Sequence, residues 1–278
     1  MITTFFHHLF GLGLLATSAF LFLSLMLASD VGYRLGRRLA TVKSTSGEDV
    51  AVISTLTAGM IALLAFTLGL SISYAQSRFE ARRDLVQVEA NAIGTAWLRA
   101  ALTDNADGHA IVADIEDYAR VRLAFTEAAS EAEVPALLAQ TQSLQADIWH
   151  HTEKIVQNAP TAITAALIGA LNEMFDASSA QQFAYESRVP ADILMMLYFG
   201  ALLAVGALGY QFGLVGKRQL VLIALLLIMW SGGMSLIVDL NQPRFGRIRV
   251  DATPLILVVQ GFHVPDGSAF RGQPPGAP

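Results

Sequence analysis

The chain has 278 residues, of which 54% are apolar and only 15% are charged, whereas soluble proteins average roughly 25% charged residues. It contains no cysteine, which excludes disulfides, thiolate metal sites and cysteine nucleophiles. Residues 75–189 hold 8 Lys and Arg against 16 Asp and Glu, a net charge of −8. This acidic segment does not suit nucleic acid, because binding to phosphates requires basic residues.

Four apolar stretches indicate the class of the protein. None carries a charge inside, and they lie at about Leu9–Ala28, Val52–Ser73, Ile193–Leu214 and Leu220–Val238. Each is close to the ~20 residues that a helix needs to cross a hydrocarbon core of ~30 Å. Soluble helices need a polar face, so the stretches predict a multi-pass membrane protein. The first stretch lacks a basic segment before it and is too long for a signal peptide, so we interpret it as a retained membrane helix.

The first predicted helix ends at 30–34, and a hydrophilic connector follows from Arg37 to Val50. The second helix begins near Val52 and contains small residues that allow neighbouring helices to approach closely, at Ala58, Gly59, Ala62, Ala65 and Gly69. No proline or glycine pair marks its end. We therefore predict that it continues unbroken to about Leu102 and carries the polar domain.

The polar domain is also predicted to be helical. A turn cluster at 104–108 precedes helices at 110–129, 134–159 and 161–185, with Pro160 ending the middle one. Trp149 and Met174 are predicted core residues. The predicted fold is all-α, a four-helix transmembrane unit with an inserted helical extramembrane domain. Its segments are transmembrane helices 1 and 2 (1–74), the acidic domain (75–189), transmembrane helices 3 and 4 (190–240), and a C-terminal tail (241–278) with a disordered end.

Three motifs carry a family resemblance. The second apolar stretch passes into Arg78-Phe79-Glu80-Ala81-Arg82-Arg83, and Glu89-Ala90-Asn91-Ala92-Ile93-Gly94-Thr95-Ala96 follows. After the fourth stretch stands Asp239-Leu240-Asn241-Gln242-Pro243-Arg244-Phe245-Gly246. These motifs resemble the bacterial bestrophin-like domain family of unknown function and, more distantly, the bestrophin anion channels. Asn241 and Gln242 stand where the family often has Asp and Arg.

The resemblance implies a pore. Bestrophins assemble as pentameric anion channels, with the second helix lining the pore and apolar rings four residues apart forming its constriction. Phe66 and Leu70 fall in register with those rings, and Ala62 replaces a larger residue. Phe79 replaces a bestrophin tryptophan, and no dense acidic cluster follows Pro243. Calcium gating is therefore not expected.

The remaining candidate residues are polar. Arg78, Arg82 and Arg83 are either lipid anchors or an anion-attracting vestibule. Glu89, Asn91, Gly94, Asp239, Pro243 and Gly246 belong to the family motifs. Arg82 and Glu89, two turns apart, are expected to pair with neighbours, and Asp239 is either functional or marks the water interface. Adjacent histidine pairs do not share a helix face, and no catalytic motif is present. No metal, cofactor or enzymatic activity is predicted.

The leading hypothesis is a homo-oligomeric channel that passes small inorganic anions in the bacterial inner membrane, surrounded by the lipid bilayer. An alternative is a membrane-anchored sensory or scaffolding protein whose acidic domain binds a partner, and a third is support of the envelope without transport. The side of the 75–189 domain stays open. The basic residues of the short connectors favour an external domain, whereas the bestrophin resemblance implies a cytoplasmic one.

Overall fold

A computed structural model of the chain describes residues 14–42, 46–158, 160–242, 244 and 246–262. These residues form eight helices and no strand: α1 Leu14–Val42, α2 Gly47–Ala101, α3 Ala106–Glu127, α4 Val134–Asn158, α5 Ala162–Glu186, α6 Ala191–Val215, α7 Leu220–Leu240 and α8 Thr253–Gly261. The predicted all-α class is confirmed. Three predicted features lie outside the described residues, namely the helix start at Leu9, the motif residue Pro243 and the disordered C-terminal end.

Four helical segments are long and apolar enough to cross a membrane, namely Leu15–Val42, Gly47–Ala101, Ala162–Val215 and Leu220–Leu240. Each overlaps one of the four predicted apolar stretches, which confirms a multi-pass membrane protein. The described chain divides into two compact units. The first unit contains the residues up to Phe79 and Arg188–Ile248, and the second contains Glu80–Ser187 and the residues from Arg249 onward.

The core of the first unit is formed by apolar side chains of α1, α6 and α7. Leu25, Leu197, Leu227 and Ile237 are fully buried there. Helices α1 and α6 also approach to backbone contact. A Cβ atom on Gly209 would lie 2.1 Å from the carbonyl oxygen of the facing α1 residue, and similar clashes would arise in both helices at Gly32, Gly36 and Gly213. Small residues give membrane helices this close van der Waals packing.

Helix α1 is longer than predicted. It continues past Asp30 to Val42, so the predicted end at 30–34 and the connector from Arg37 are wrong. Arg34 forms an ion pair with Asp30 at 2.6 Å, one turn earlier on the same helix. Such i,i+4 pairs stabilise a helix, and leucine and arginine, which recur up to residue 39, are good helix formers.

The second unit confirms the helical prediction for the polar domain. Helix α2 runs unbroken through 55 residues to Ala101, and α3, α4 and α5 begin and end within a few residues of the predicted bounds. The Asn105 side chain caps α3 by accepting a hydrogen bond from the Gly108 N–H at 2.7 Å. Met174 is buried as predicted, but Trp149 is 37% exposed and is not a core residue.

One helix in the second unit was not predicted. Residues 253–261 form α8, although the sequence assigns them to a tail, and Leu255 is fully buried. The Asp251 carboxylate accepts hydrogen bonds from the Thr253 N–H at 2.9 Å and the Thr253 hydroxyl at 2.6 Å. Pro254 lies in the first turn, where its missing N–H has no helical partner to lose. A nine-residue helix with a single buried residue leaves little periodic signal in the sequence.

Candidate functional site

The apolar half of α2 has two distinct faces. Leu64, Leu68 and Ile72 pack against the core of the first unit. Phe66 is 65% exposed and Leu70 is 56% exposed, and Ala62 is exposed with them. Since 3.6 residues make one helical turn, these three positions share a stripe roughly opposite the packed residues. The structure therefore brings the three predicted constriction residues together on a surface that the single chain leaves open.

The same stripe carries small and hydroxyl-bearing residues on both sides of the constriction. Thr55 and Gly59 precede it, and Ser73 and Ser77 follow it, all of them exposed. A Cβ atom on Gly59 or Gly69 would meet nothing within 4 Å. Two of the small residues predicted to let neighbours approach α2, Gly59 and Gly69, thus have no neighbour among the residues that the structure describes. The close backbone contact of the described residues lies between α1 and α6 instead.

Charged residues of α2 lie beyond both ends of this stripe, with one arginine at its second end. Helix α2 has no Asp or Glu between Asp49 and Glu80, and Arg78 is the one basic residue in that interval. The Arg78 guanidinium donates to the Tyr74 hydroxyl, with Nη2 at 2.7 Å. Beyond the apolar part, Glu80 and Asp84 continue the exposed stripe. The hydroxyl-lined part is consequently free of carboxylates, whereas the segment after it is not.

The three predicted arginines do not share one environment. Arg82 is 1% exposed. Its Nε donates to the Ala184 carbonyl at 2.9 Å, and Nη2 donates to the Ser187 carbonyl at 2.5 Å. It therefore caps the C-terminal end of α5, where carbonyls lack helical partners. A vestibule or a lipid anchor requires an accessible guanidinium, so the predicted role of Arg82 does not fit its position.

Arg83 and the motif residue Asn91 lie together in the second unit. Both line an open groove of about 690 Å³ between α2 and α8. Asp251 lines the same groove, and hydrogen bonds from Thr253 lower the pKa of its carboxyl group. The groove thus presents one cation, Arg83, the two carboxylates of Asp84 and Asp251, and the neutral amides of Gln87 and Asn91. Gly94 belongs to the same motif as Asn91, and no described atom lies within 4 Å of where a Cβ on this glycine would be.

The motif residue Glu89 forms a buried ion pair. Nε of Arg122 donates to Oε1 of Glu89 at 2.5 Å, and Nη2 donates to Oε2 at 3.3 Å. Both side chains are buried, and Arg122 also donates to the amide oxygen of Gln181. Burial next to this pair raises the pKa of Tyr118 to about 12 because the phenolate would be desolvated. Arg82 and Glu89 thus each have partners, as the sequence leads us to expect, but these partners lie on or next to other helices and far along the chain.

The motif residue Asp239 organises the turn after α7. Its carboxylate accepts the Arg247 N–H at 2.7 Å and the Ile248 N–H at 3.1 Å, and the side chain is buried. A Cβ atom on Gly246 would lie 2.8 Å from both the carbonyl oxygen and Oδ1 of Asp239. Only glycine fits there without a shift. Asp239 is therefore a buried structural acceptor, and its position at the water interface stays a prediction.

Two groups of functional interest were missed from the sequence. Arg122 and Gln181 are far from Glu89 along the chain, and an isolated Arg or Gln in a helical pattern carries no signal of a buried partner. No group of three or more His, Cys, Asp or Glu residues able to hold a metal occurs in the part of the chain that the structure describes. His151 instead lies 2.8 Å from Asp107, Nδ1 to Oδ1.

Comparisons with known proteins agree with this architecture. Among solved structures, the chain is similar to bacterial bestrophin homologues from Klebsiella pneumoniae. A variant with a tryptophan replaced by alanine has a TM-score of 0.68 at 14% identity, covering 90% of this chain and 96% of that chain. A leucine-to-threonine variant has a TM-score of 0.63 at 16% identity, covering 90% and 97%. Identities this low show a common fold.

The family follows from the sequence comparison. No curated protein matches the chain. A model of the Bestrophin-like domain, however, matches residues 22–255, which include α2 and most of both units. The chain is a multi-pass membrane protein that belongs to the Bestrophin-like domain family.

Proposed function

We propose that this protein is a homo-oligomeric channel for small inorganic anions in the bacterial inner membrane, with α2 of each subunit facing a shared axis. Ala62, Phe66 and Leu70 form the narrowest part. The observation that carries the proposal is the open stripe of α2, because this apolar helix, whose packed side is partly buried, exposes Phe66 at 65%. The segment bounds predicted above, with 75–189 outside the bilayer, are part of the same proposal.

The chemistry of the stripe suits a gated path for anions. Apolar constrictions gate by dewetting, which is the role proposed for Phe66 and Leu70. Ser73 and Ser77 offer hydroxyl donors beside the constriction, and no carboxylate lies on α2 between Asp49 and Glu80. Arg78 raises the local anion concentration at that end. Arg82 is left out of this role because it is buried against α5.

Self-association accounts for surface that the single chain leaves uncovered. Ser73 and Ser77 lie on an exposed face of α2, where contact with lipid tails would leave their hydroxyls without solvent, whereas the Thr55 hydroxyl on the same face donates to the Ala51 carbonyl at 3.0 Å. Facing a water-filled axis formed by several copies solvates them. Lipid then covers the flank of α2 that carries Leu56 and Met60, both exposed and apolar.

The proposal is tested by flux through the purified protein in liposomes. The wild type should pass chloride down its gradient and should exclude sodium. Phe66→Ala should raise the chloride flux severalfold by widening the constriction. Met60→Ala, an exposed position about a third of a turn away around α2, should leave the flux unchanged. Sodium-selective flux would reject anion conduction, and equal effects of the two variants would reject the assigned constriction.

A second function, a membrane-anchored sensor or scaffold, is favoured by one observation. Helix α2 is continuous from its apolar half into the second unit, so it offers a helical connection for relaying motion to a partner-binding domain. Absence of any ion flux from a folded oligomer would favour this function. The side of the second unit is decided by Ser143→Cys, an exposed position, labelled on intact cells with an impermeant thiol reagent.

A further inference from the structure

A cleft in the first unit lies where three apolar helices reach their charged ends. Residues 26–33 in the middle of α1, the end of α6 and the start of α7 line a cavity of about 350 Å³. Its apolar wall is formed by Met26, Leu27, Phe212, Leu220 and Ile223. These residues belong to three of the four apolar stretches, so the wall lies at the edge of the hydrocarbon region. The cleft is separate from the exposed stripe of α2.

The mouth of the cleft is polar and carries an arginine. Nη2 of Arg218 donates to Oδ1 of Asp30 at 3.2 Å, and the guanidinium stacks over the Tyr33 ring at 4.2 Å from its centre. Asp30 also pairs with Arg34 at 2.6 Å. One carboxylate is therefore shared by two guanidinium groups, which leaves a net positive charge at the mouth. Nearly half of the Arg218 side chain remains exposed.

Further basic residues surround this mouth. Residues 30–42 and 215–220 together carry five Lys and Arg against one acidic residue. Gly216 ends α6 in the left-handed conformation, with φ of 75°, and a Cβ atom there would lie 2.7 Å from Nη1 of Arg37. The Arg37 guanidinium thus lies at the C-terminal end of α6, where the connector to α7 that carries Arg218 begins. The positive charge is therefore concentrated where the second half of α1 meets the connector between α6 and α7.

We propose that this cleft binds one anionic phospholipid, with an acyl chain against Leu27 and Ile223 and the phosphate at Arg218 and Arg34. An apolar wall next to a mouth of positive charge matches the two halves of such a lipid. The positive charge at the mouth favours an anionic over a zwitterionic headgroup. The apolar wall of the cleft adds contacts with an acyl chain, which free phosphate lacks. The proposal is independent of whether the protein conducts ions.

The test measures the melting temperature of the purified full chain in detergent. Phosphatidylglycerol should raise it in a saturable way. Phosphatidylcholine with the same acyl chains, and inorganic phosphate at the same concentration, should not. Arg218→Gln should weaken the apparent affinity about fivefold, as expected for one basic residue near an anionic headgroup. Equal gains from the two lipids would overturn the proposal, and an equal gain from inorganic phosphate would identify a simple anion site instead.

Two leucines of α1 provide a matched pair. Leu27 lines the cleft, whereas Leu23 lies one turn earlier and does not, and both are 64% exposed. Leu27→Trp should fill the cleft and abolish the saturable gain, and Leu23→Trp should retain it. If both variants behave alike, the cleft is not the site. Native mass spectrometry of the wild type in an equimolar lipid mixture checks this without any variant, and equal retention of the two lipids would contradict the proposal.

Discussion

Glu89 and Arg122 form a buried ion pair that joins α2 to α3, with Nε of Arg122 2.5 Å from Oε1 of Glu89. Gln181 of α5 accepts a further hydrogen bond from the same guanidinium. Three helices of the second unit therefore converge on one charged group. Glu89 belongs to a family motif, and its position explains a carboxylate at this place in the motif by charge pairing inside the second unit.

Removing one partner of this pair should be far more damaging than removing both. Glu89→Leu alone leaves the Arg122 charge buried and unpaired, which costs about 3–5 kcal/mol, whereas an apolar replacement of both partners is often close to neutral. The double variant Glu89→Leu with Arg122→Met should therefore be more stable than either single variant. Unfolding of the purified protein by heat or denaturant in detergent measures this.

An exposed arginine on the same helix provides the control. Arg120 pairs with Glu116 and Asp117 and is 45% exposed. Because exposed pairs contribute little, Arg120→Ala should change the unfolding free energy by less than about 1 kcal/mol. A double variant no more stable than the single variants would contradict a cost that arises from leaving one buried charge unpaired.

Replacing Arg82 should lower the melting temperature, whereas replacing the neighbouring Arg83 should not. Arg82→Ala removes two hydrogen bonds to carbonyls at the end of α5, and a buried group left without a partner costs about 1–3 kcal/mol. It should lower the melting temperature by several degrees. Arg83→Ala, at an exposed position, should leave the melting temperature unchanged. A stable Arg82→Ala protein would contradict the capping role.

The glycine contacts between α1 and α6 should be intolerant of any side chain. Gly209→Val places a side chain where a Cβ atom already lies 2.1 Å from the Ser29 carbonyl oxygen, and overpacking of this kind costs about 1–3 kcal/mol or more. It should reduce the yield of folded protein and its melting temperature. Gly232→Ala, on α7 with nothing within 4 Å of its Cβ position, should be neutral or slightly stabilising. Equal tolerance at both glycines would contradict the close packing.

The sequence predicts those features that depend on local pattern. Uninterrupted apolar runs of about 20 residues identify the membrane segments, and the absence of a breaker after Ser73 predicts the continuous α2. Features that depend on distant partners could not be predicted. The burial of Arg82 depends on the end of α5, about 100 residues away, and the ion pair of Glu89 depends on Arg122. Helix α8 was missed because its signal is one buried leucine.

The candidate pore surface was likewise predictable only in part. Spacing alone places Ala62, Phe66 and Leu70 on one side of α2, and the family resemblance suggests their role. Only the structure shows that this side is uncovered in the single chain while Leu64 and Leu68 pack inward. The cleft at Arg218 requires three helices to meet, so no local pattern reports it.

The most direct test of the central claim is the accessibility of α2 in the conducting oligomer. The chain has no native cysteine, so Ser73→Cys and Met60→Cys introduce single thiols on the stripe and away from it. A charged, water-soluble thiol reagent should modify Ser73→Cys in liposomes and reduce chloride flux severalfold, and flux through Met60→Cys should not change. Complete modification of Ser73→Cys with unchanged flux would contradict a pore lined by α2.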